Sequence, residues 1–146
     1  MKAIITAASL SLAALPAQAE LITVKTDKSV PEVMDALEAA VTGAGATVFA
    51  RIDHRAGAES AGLEMGSAQT LIFGNPKLGT PAMNADMRAA LMLPMKVAAY
   101  AAPDGGVFLT YEDPVAMFEG LDIPADAQYV KMMTGALGKL TAKAAE

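Results

Sequence analysis

The segment Ala68-Gln69-Thr70-Leu71-Ile72-Phe73-Gly74-Asn75-Pro76-Lys77-Leu78-Gly79-Thr80-Pro81 decides how the chain is organised. Ala68–Phe73 is a short run of β-favouring residues, closed by Gly-Asn-Pro, a turn by composition, so it reads as a strand. Thr80-Pro81 pairs a helix cap with a first-turn proline and opens a helix through Met83, Met87, Ala90 and Leu91. Pro94 ends that helix and Met95–Ala101 is the next strand. Asp104-Gly105-Gly106 is a hairpin turn, from which Val107–Tyr111 returns.

Upstream, Leu21–Lys25 is a short β-rich run. Ser29, Pro31 and Glu32 then mark a helix start, with Ser29 as cap and Glu32 placed to close a capping box. Val30, Val33, Met34, Leu37, Ala40 and Val41 follow at helical spacing, and Gly43 and Gly45 stop the helix. Thr47–Asp53 reads as a strand with His54 at or just past its end. Arg55–Ser67 is small and mixed, with one helical turn around Ala58–Ala61. Downstream, Glu112-Asp113-Pro114 starts a short helical piece ending at Gly120. A last helix runs from about Asp126 to Ala144, with Val130, Met133, Leu137, Leu140 and Ala144 on one stripe. This order predicts a single α+β domain over residues 20–146, its sheet mainly antiparallel and its helices on one face.

The first nineteen residues read as a cleavable export signal. Lys2 supplies a positive charge, Ala3–Leu15 is apolar, Pro16 breaks the run, and Ala17-Gln18-Ala19 has the small-x-small pattern of a cleavage site between Ala19 and Glu20. The apolar run is shorter than the roughly 20 residues of a membrane anchor. No later stretch approaches that length, so the expectation is a periplasmic or secreted protein with no membrane insertion after cleavage. The chain has 146 residues, no Cys, one His and a formal charge of −5. That balance argues against a nucleic-acid partner, because a phosphate backbone demands clustered Lys and Arg. Without Cys there is no disulfide, thiolate metal site or Cys nucleophile.

His54 is the obvious candidate for chemistry. Asp53 and Arg55 flank it, but strand neighbours point to opposite faces, so adjacent residues do not make an Asp-His dyad. A nucleophile would have to be Ser60, Ser67 or Thr70 brought near by folding, and none lies in a Gly-x-Ser-x-Gly elbow. The plainer reading is a histidine that ends a strand and hydrogen-bonds a loop. Met83 and Met87 stack at i, i+4, a spacing that usually means core packing and alternatively an adaptable apolar pocket or partner surface. No Met-x-x-Met run is backed by His, which argues against copper. Asn75–Thr80 precedes the expected helix and carries Lys77, so an anion is one reading and a turn with a cap the plainer one. Gly43-Ala44-Gly45 follows a helix, the reverse of a dinucleotide fingerprint. Glu112/Asp113 and Glu59/Glu64 read as solvated. No catalytic, metal or cofactor constellation emerges.

Phe49-Ala50-Arg51-Ile52-Asp53-His54, the run Leu71–Met83, Leu93-Pro94-Met95-Lys96-Val97, Asp104-Gly105 and Leu109-Thr110-Tyr111 together resemble the domain of unknown function 302 family. The resemblance covers nearly all of residues 20–146. It implies an α+β fold of β-α-β4-α type, similar to the TATA-binding-protein-like architecture, and a homodimer. No activity comes with it. Asn84 and Arg88 depart from the bulkier apolar groups expected after Thr80, which argues against a large apolar pocket there.

The leading expectation is a non-enzymatic homodimeric module that binds a small molecule or a protein partner in a groove between helix and sheet. His54 and Asn75 would be polar anchors, Met83 and Met87 the apolar wall, with Thr80 and Tyr111 as further contacts. Two alternatives stand beside it: an enzyme using His54 as general base on a small substrate, and a purely structural dimer module.

Overall fold

Alternation along the strands builds the sheet. In β3 (Ala68–Gly74) the side chains of Gln69, Leu71 and Phe73 are buried, while those between them are half-buried on the opposite face. The same alternation runs through β4 (Met95–Ala101) and β5 (Val107–Glu112), where Met95, Val97, Ala99, Leu109 and Tyr111 turn inward. The computed structural model describes residues 20–146. The expected export signal, 1–19, lies outside the described residues.

Five strands form one sheet in the order β1-β5-β4-β3-β2, every neighbouring pair antiparallel, with β1 over Leu21–Thr26 and β2 over Thr47–Asp53. Strands β2 to β5 form a meander, and β1 adds to its far edge. Helix α1 (Val30–Gly43) therefore runs from one edge of the sheet to the other, beneath the strands. Helix α5 (Gln128–Ala145) packs beside it on the same face. This is the β-α-β4-α order expected, with short helices α2 (His54–Ser60), α3 (Pro76–Ala85) and α4 (Pro114–Met117) set into the connections.

The core lies between sheet and helices. Val33, Met34, Leu37 and Val41 of α1 meet Leu71, Val97 and Leu109 of the sheet and Val130, Met133 and Leu137 of α5. Each such side chain contributes about 1.5–3 kcal/mol by leaving water. The capping box forms as read: the Glu32 carboxylate accepts from the Ser29 backbone N–H at 2.9 Å and from the Ser29 hydroxyl at 2.6 Å. At the β2 edge Arg51 ties the sheet to α1 through polar contacts. Its Nε donates to Gln69 Oε1 at 2.9 Å, and its Nη1 pairs with Asp35 and Glu38 of α1.

The region after β3 departs from the sequence reading. Asn75 is extended and its Oδ1 accepts from the Lys77 N–H at 3.0 Å, so the helix opens at Pro76, before Thr80-Pro81, and Pro81 lies inside it. Pro76 fits the first helical position because its missing N–H would have no partner there. The helix stops at Ala85, where Asp86 is again extended and caps a separate 3-10 turn, Met87–Leu91, by accepting from the Arg88 N–H at 2.9 Å. One expected helix is thus two pieces with different axes, and Met83 and Met87 do not share a face. Farther upstream, the expected turn at Ala58–Ala61 is α2, capped by Asp53, which accepts from the Ala56 N–H at 2.9 Å.

Candidate functional site

The chain leaves the sheet after Gly74 and re-enters it at Met95, which pairs with Phe73 at one end of β3 and β4. The connection must therefore project beyond the sheet end, where it packs on α5. The wedge between α3, the strand ends and the middle of α5 is not filled. It is a cavity of about 770 Å³ lined by Phe73, Leu78, Met83, Met95, Met133 and Leu137 among others. The space exists because several wall positions carry little side chain: Ala46, Gly79 and Ala136 all face it.

The mouth is set by a bulge. Val48 pairs with Phe73 and Ala50 with Ile72, leaving Phe49 as the extra residue of β2. Bulges re-aim side chains, and this one sends the Phe49 ring over Gly74. A Cβ on Gly74 would lie 3.3 Å from Phe49 Cε2 and 3.5 Å from Pro94 Cβ, so a larger residue there would push the ring back by a few tenths of an ångström. Phe49 is 59% exposed and Met132, across the mouth on α5, is 50% exposed. Both are large apolar side chains left in solvent beside an apolar cavity.

Among the described residues two polar side chains line the cavity, Asn75 and Thr80, and none of the lining residues is charged. The N-terminus of α3 offers no anion site. Pro76 has no N–H, the Lys77 N–H goes to Asn75 Oδ1, and those of Leu78 and Gly79 go to the Asn75 carbonyl at 2.9 and 3.0 Å. The anion reading of Asn75–Thr80 therefore lacks donors.

Of the six residues singled out in the sequence, the cavity brings together Asn75, Thr80 and Met83. His54 lies elsewhere. Its Nε2 is 2.9 Å from Thr70 Oγ1, on the sheet face that carries no long helix. Thr70 is thus the hydroxyl that folding brings to His54. The neighbouring acid is not available to orient the ring, because Asp53 accepts from the Ala56 N–H and from Gln69 Nε2. The Ala56 N–H, more than Gln69, holds the Asp53 carboxyl below the usual carboxylate range. Met87 is 71% exposed on its own turn, and Tyr111 is buried in the core with its hydroxyl against Gly138. Asn84 and Arg88 are not in the cavity wall, so their departure from an apolar pattern does not limit it. Sequence reasoning missed Phe49, because nothing local marks a bulge. It also missed Met132, which lies one residue off the apolar stripe of α5. Among the described residues no three His, Cys, Asp or Glu side chains converge as a metal site, and no helix is long and apolar enough to cross a membrane.

The sheet order and the helix-covered face define a small α+β module with an apolar cavity at one sheet end. The chain belongs to the family described as Domain of unknown function DUF302, matched over residues 22–140. A solved structure of an uncharacterized conserved protein DUF302 from Bacillus stearothermophilus shares the fold, with a TM-score of 0.77 at 18% identity, over 85% of this chain and 97% of that one. The chain is also similar to the fluoride-specific ion channel FluC 1 of Brucella suis, 37% identical over 117 residues, 79% of this chain and 46% of the relative. It is equally similar to the fluoride-specific ion channel FluC 2 of Brucella melitensis, where the matched part is 43% of the relative. The chain thus spans under half the length of these curated relatives.

Proposed function

We propose that the protein is an exported, homodimeric binding module that holds a small apolar molecule in the cavity between α3 and α5. The observation that carries this reading is the cavity itself, about 770 Å³ with exposed Phe49 and Met132 at its mouth. Its size lies in the ~300–1,000 Å³ range of small-molecule sites, which combine apolar walls with a few polar groups. The signal-like residues 1–19 support export. The open sheet face supports a second copy as partner, since it presents Ile52, Ile72 and the stacked rings of Tyr100 and Phe108, 5.8 Å apart, on the side away from α1 and α5. Catalysis by His54 draws no support from the geometry, because the cavity is not beside it and no acid orients it.

Titration with Nile red, an uncharged apolar dye, tests the reading. Saturable binding of one dye per chain, abolished by filling the cavity, is expected. Non-saturable fluorescence that the filled variant reproduces would overturn it.

A second reading comes from the curated relatives, whose names place a matching domain in fluoride-specific ion channels. Fluoride is a small, strongly hydrated anion, and an uncharged apolar cavity is a poor place for it. A fluoride role for this chain would run through a channel as protein partner. Co-purification with a fluoride-specific channel of the same cell, lost on substitution of the open sheet face, tests that.

A further inference from the structure

We infer that the ligand is an uncharged single-chain amphiphile whose head offers a hydrogen-bond acceptor to the Asn75 amide at the cavity rim, an inference that rests on the cavity being the binding site. Charge is the first argument. Among the described residues none that lines the cavity is acidic or basic, so neither an anionic nor a cationic head finds a partner there. The backbone donors that could have held a carboxylate, at the start of α3, are already taken. The chain's formal charge of −5 further disfavours an anion.

The rim supplies the second argument. Asn75 uses its Oδ1 as the cap of α3. This fixes the amide orientation and leaves the two Nδ2 hydrogens, which have no protein acceptor among the described residues. Thr80, exposed to solvent, is the other polar residue at this rim. An ester carbonyl or a hydroxyl matches a donor of this kind without needing a counter-charge. The walls supply the third. Met83, Met95, Met132 and Met133 all face the cavity, and unbranched thioether side chains adapt to a flexible aliphatic chain more readily than a rigid wall does.

Displacement of Nile red by three dodecyl probes below their micelle concentrations tests this. The probes are monododecanoylglycerol, dodecanoate and dodecyltrimethylammonium, which share a chain length and differ in head charge. The glycerol ester is expected to displace dye at concentrations at least tenfold lower than either ion. Asn75→Asp keeps the cap oxygen and removes the amide donor. It is expected to weaken the ester about fivefold, the worth of one neutral hydrogen bond of ~1 kcal/mol, and to strengthen the cation. Saturable dye binding with equal displacement by all three probes would overturn the inference and leave cavity binding standing. So would an ester affinity unmoved by Asn75→Asp in a variant whose thermal midpoint matches the parent. Absence of saturable dye binding would overturn both.

Discussion

Filling the cavity from α5 separates a ligand site from an accident of packing. Ala136 faces the wedge and is half-buried, so Ala136→Phe places a ring into existing space from an already formed helix. A buried aromatic covers 150–250 Å². Taking roughly 100 Å² of that as newly buried gives about 2.5 kcal/mol at ~25 cal/mol per Å². Lower helix propensity removes about 0.5 kcal/mol and lost rotamer freedom about another 0.5–1 kcal/mol. The net expectation is a gain of about 1 kcal/mol, seen as a rise of roughly 3–5 °C in the thermal midpoint for a domain of this size. Nile red binding should meanwhile disappear. Differential scanning fluorimetry and dye titration on the same preparation read both quantities. A function-bearing cavity gives this opposition, because the side-chain volume that binding needs absent is volume that stability would use. A variant that is destabilised and still binds dye would refute the reasoning, since the wedge would then not be open at Ala136.

Ile72→Glu, at the centre of the open sheet face, should convert a dimer into a monomer by sedimentation velocity while leaving dye binding intact, because it places a charge in the proposed interface and lies outside the cavity wall. His54→Ala should leave dye affinity unchanged within experimental error; a loss would move the site to the other face of the sheet. Asp86 is held well below the usual carboxylate range, first by the Arg88 side chain and then by the Asp122 and Arg88 backbone N–H groups. Its folded pKa is depressed, so its contribution is present above the unfolded value near ~3.9 and is lost as the pH falls below that. Urea midpoints measured from pH 5 downward should therefore fall more steeply for the parent than for Asp86→Asn. Leu37→Ala removes a fully buried side chain between α1 and the sheet and should cost about 2–5 kcal/mol in urea unfolding.

What could be read from the sequence was what is local. The start of α1 was legible because Ser29, Pro31 and Glu32 act within one turn, and the buried face of α1 matches the helical spacing residue for residue. The hairpin between β4 and β5 was marked by Asp104-Gly105-Gly106 in the same way, and Gly105 has a φ of 88°, which glycine adopts without strain. The start of α3 was misplaced because two cap-proline pairs, Asn75-Pro76 and Thr80-Pro81, lie five residues apart and composition does not rank them. The extended backbone at Asn75 and at Asp86 decides the matter and divides the expected helix.

The cavity was only partly legible for a different reason. Its walls come from four separated stretches, around residues 44–49, 73–83, 93–95 and 132–137, that meet only in the folded chain. Asn75, Thr80 and Met83 were found because they belong to one motif. The absences that create the space, Ala46, Gly79 and Ala136, carry no signal in a chain this rich in alanine. The pairing of His54 with Asn75 failed because β3 separates them: one reaches the open face through Thr70 and the other follows the strand's end toward the helices.

Native mass spectrometry of the protein purified gently from its own cells, beside Ala136→Phe prepared identically, tests the central claim most directly. The account predicts a parent species carrying one uncharged amphiphile per chain and a variant that flies bare. The same adduct on both proteins, or a parent at the bare chain mass throughout, would contradict it.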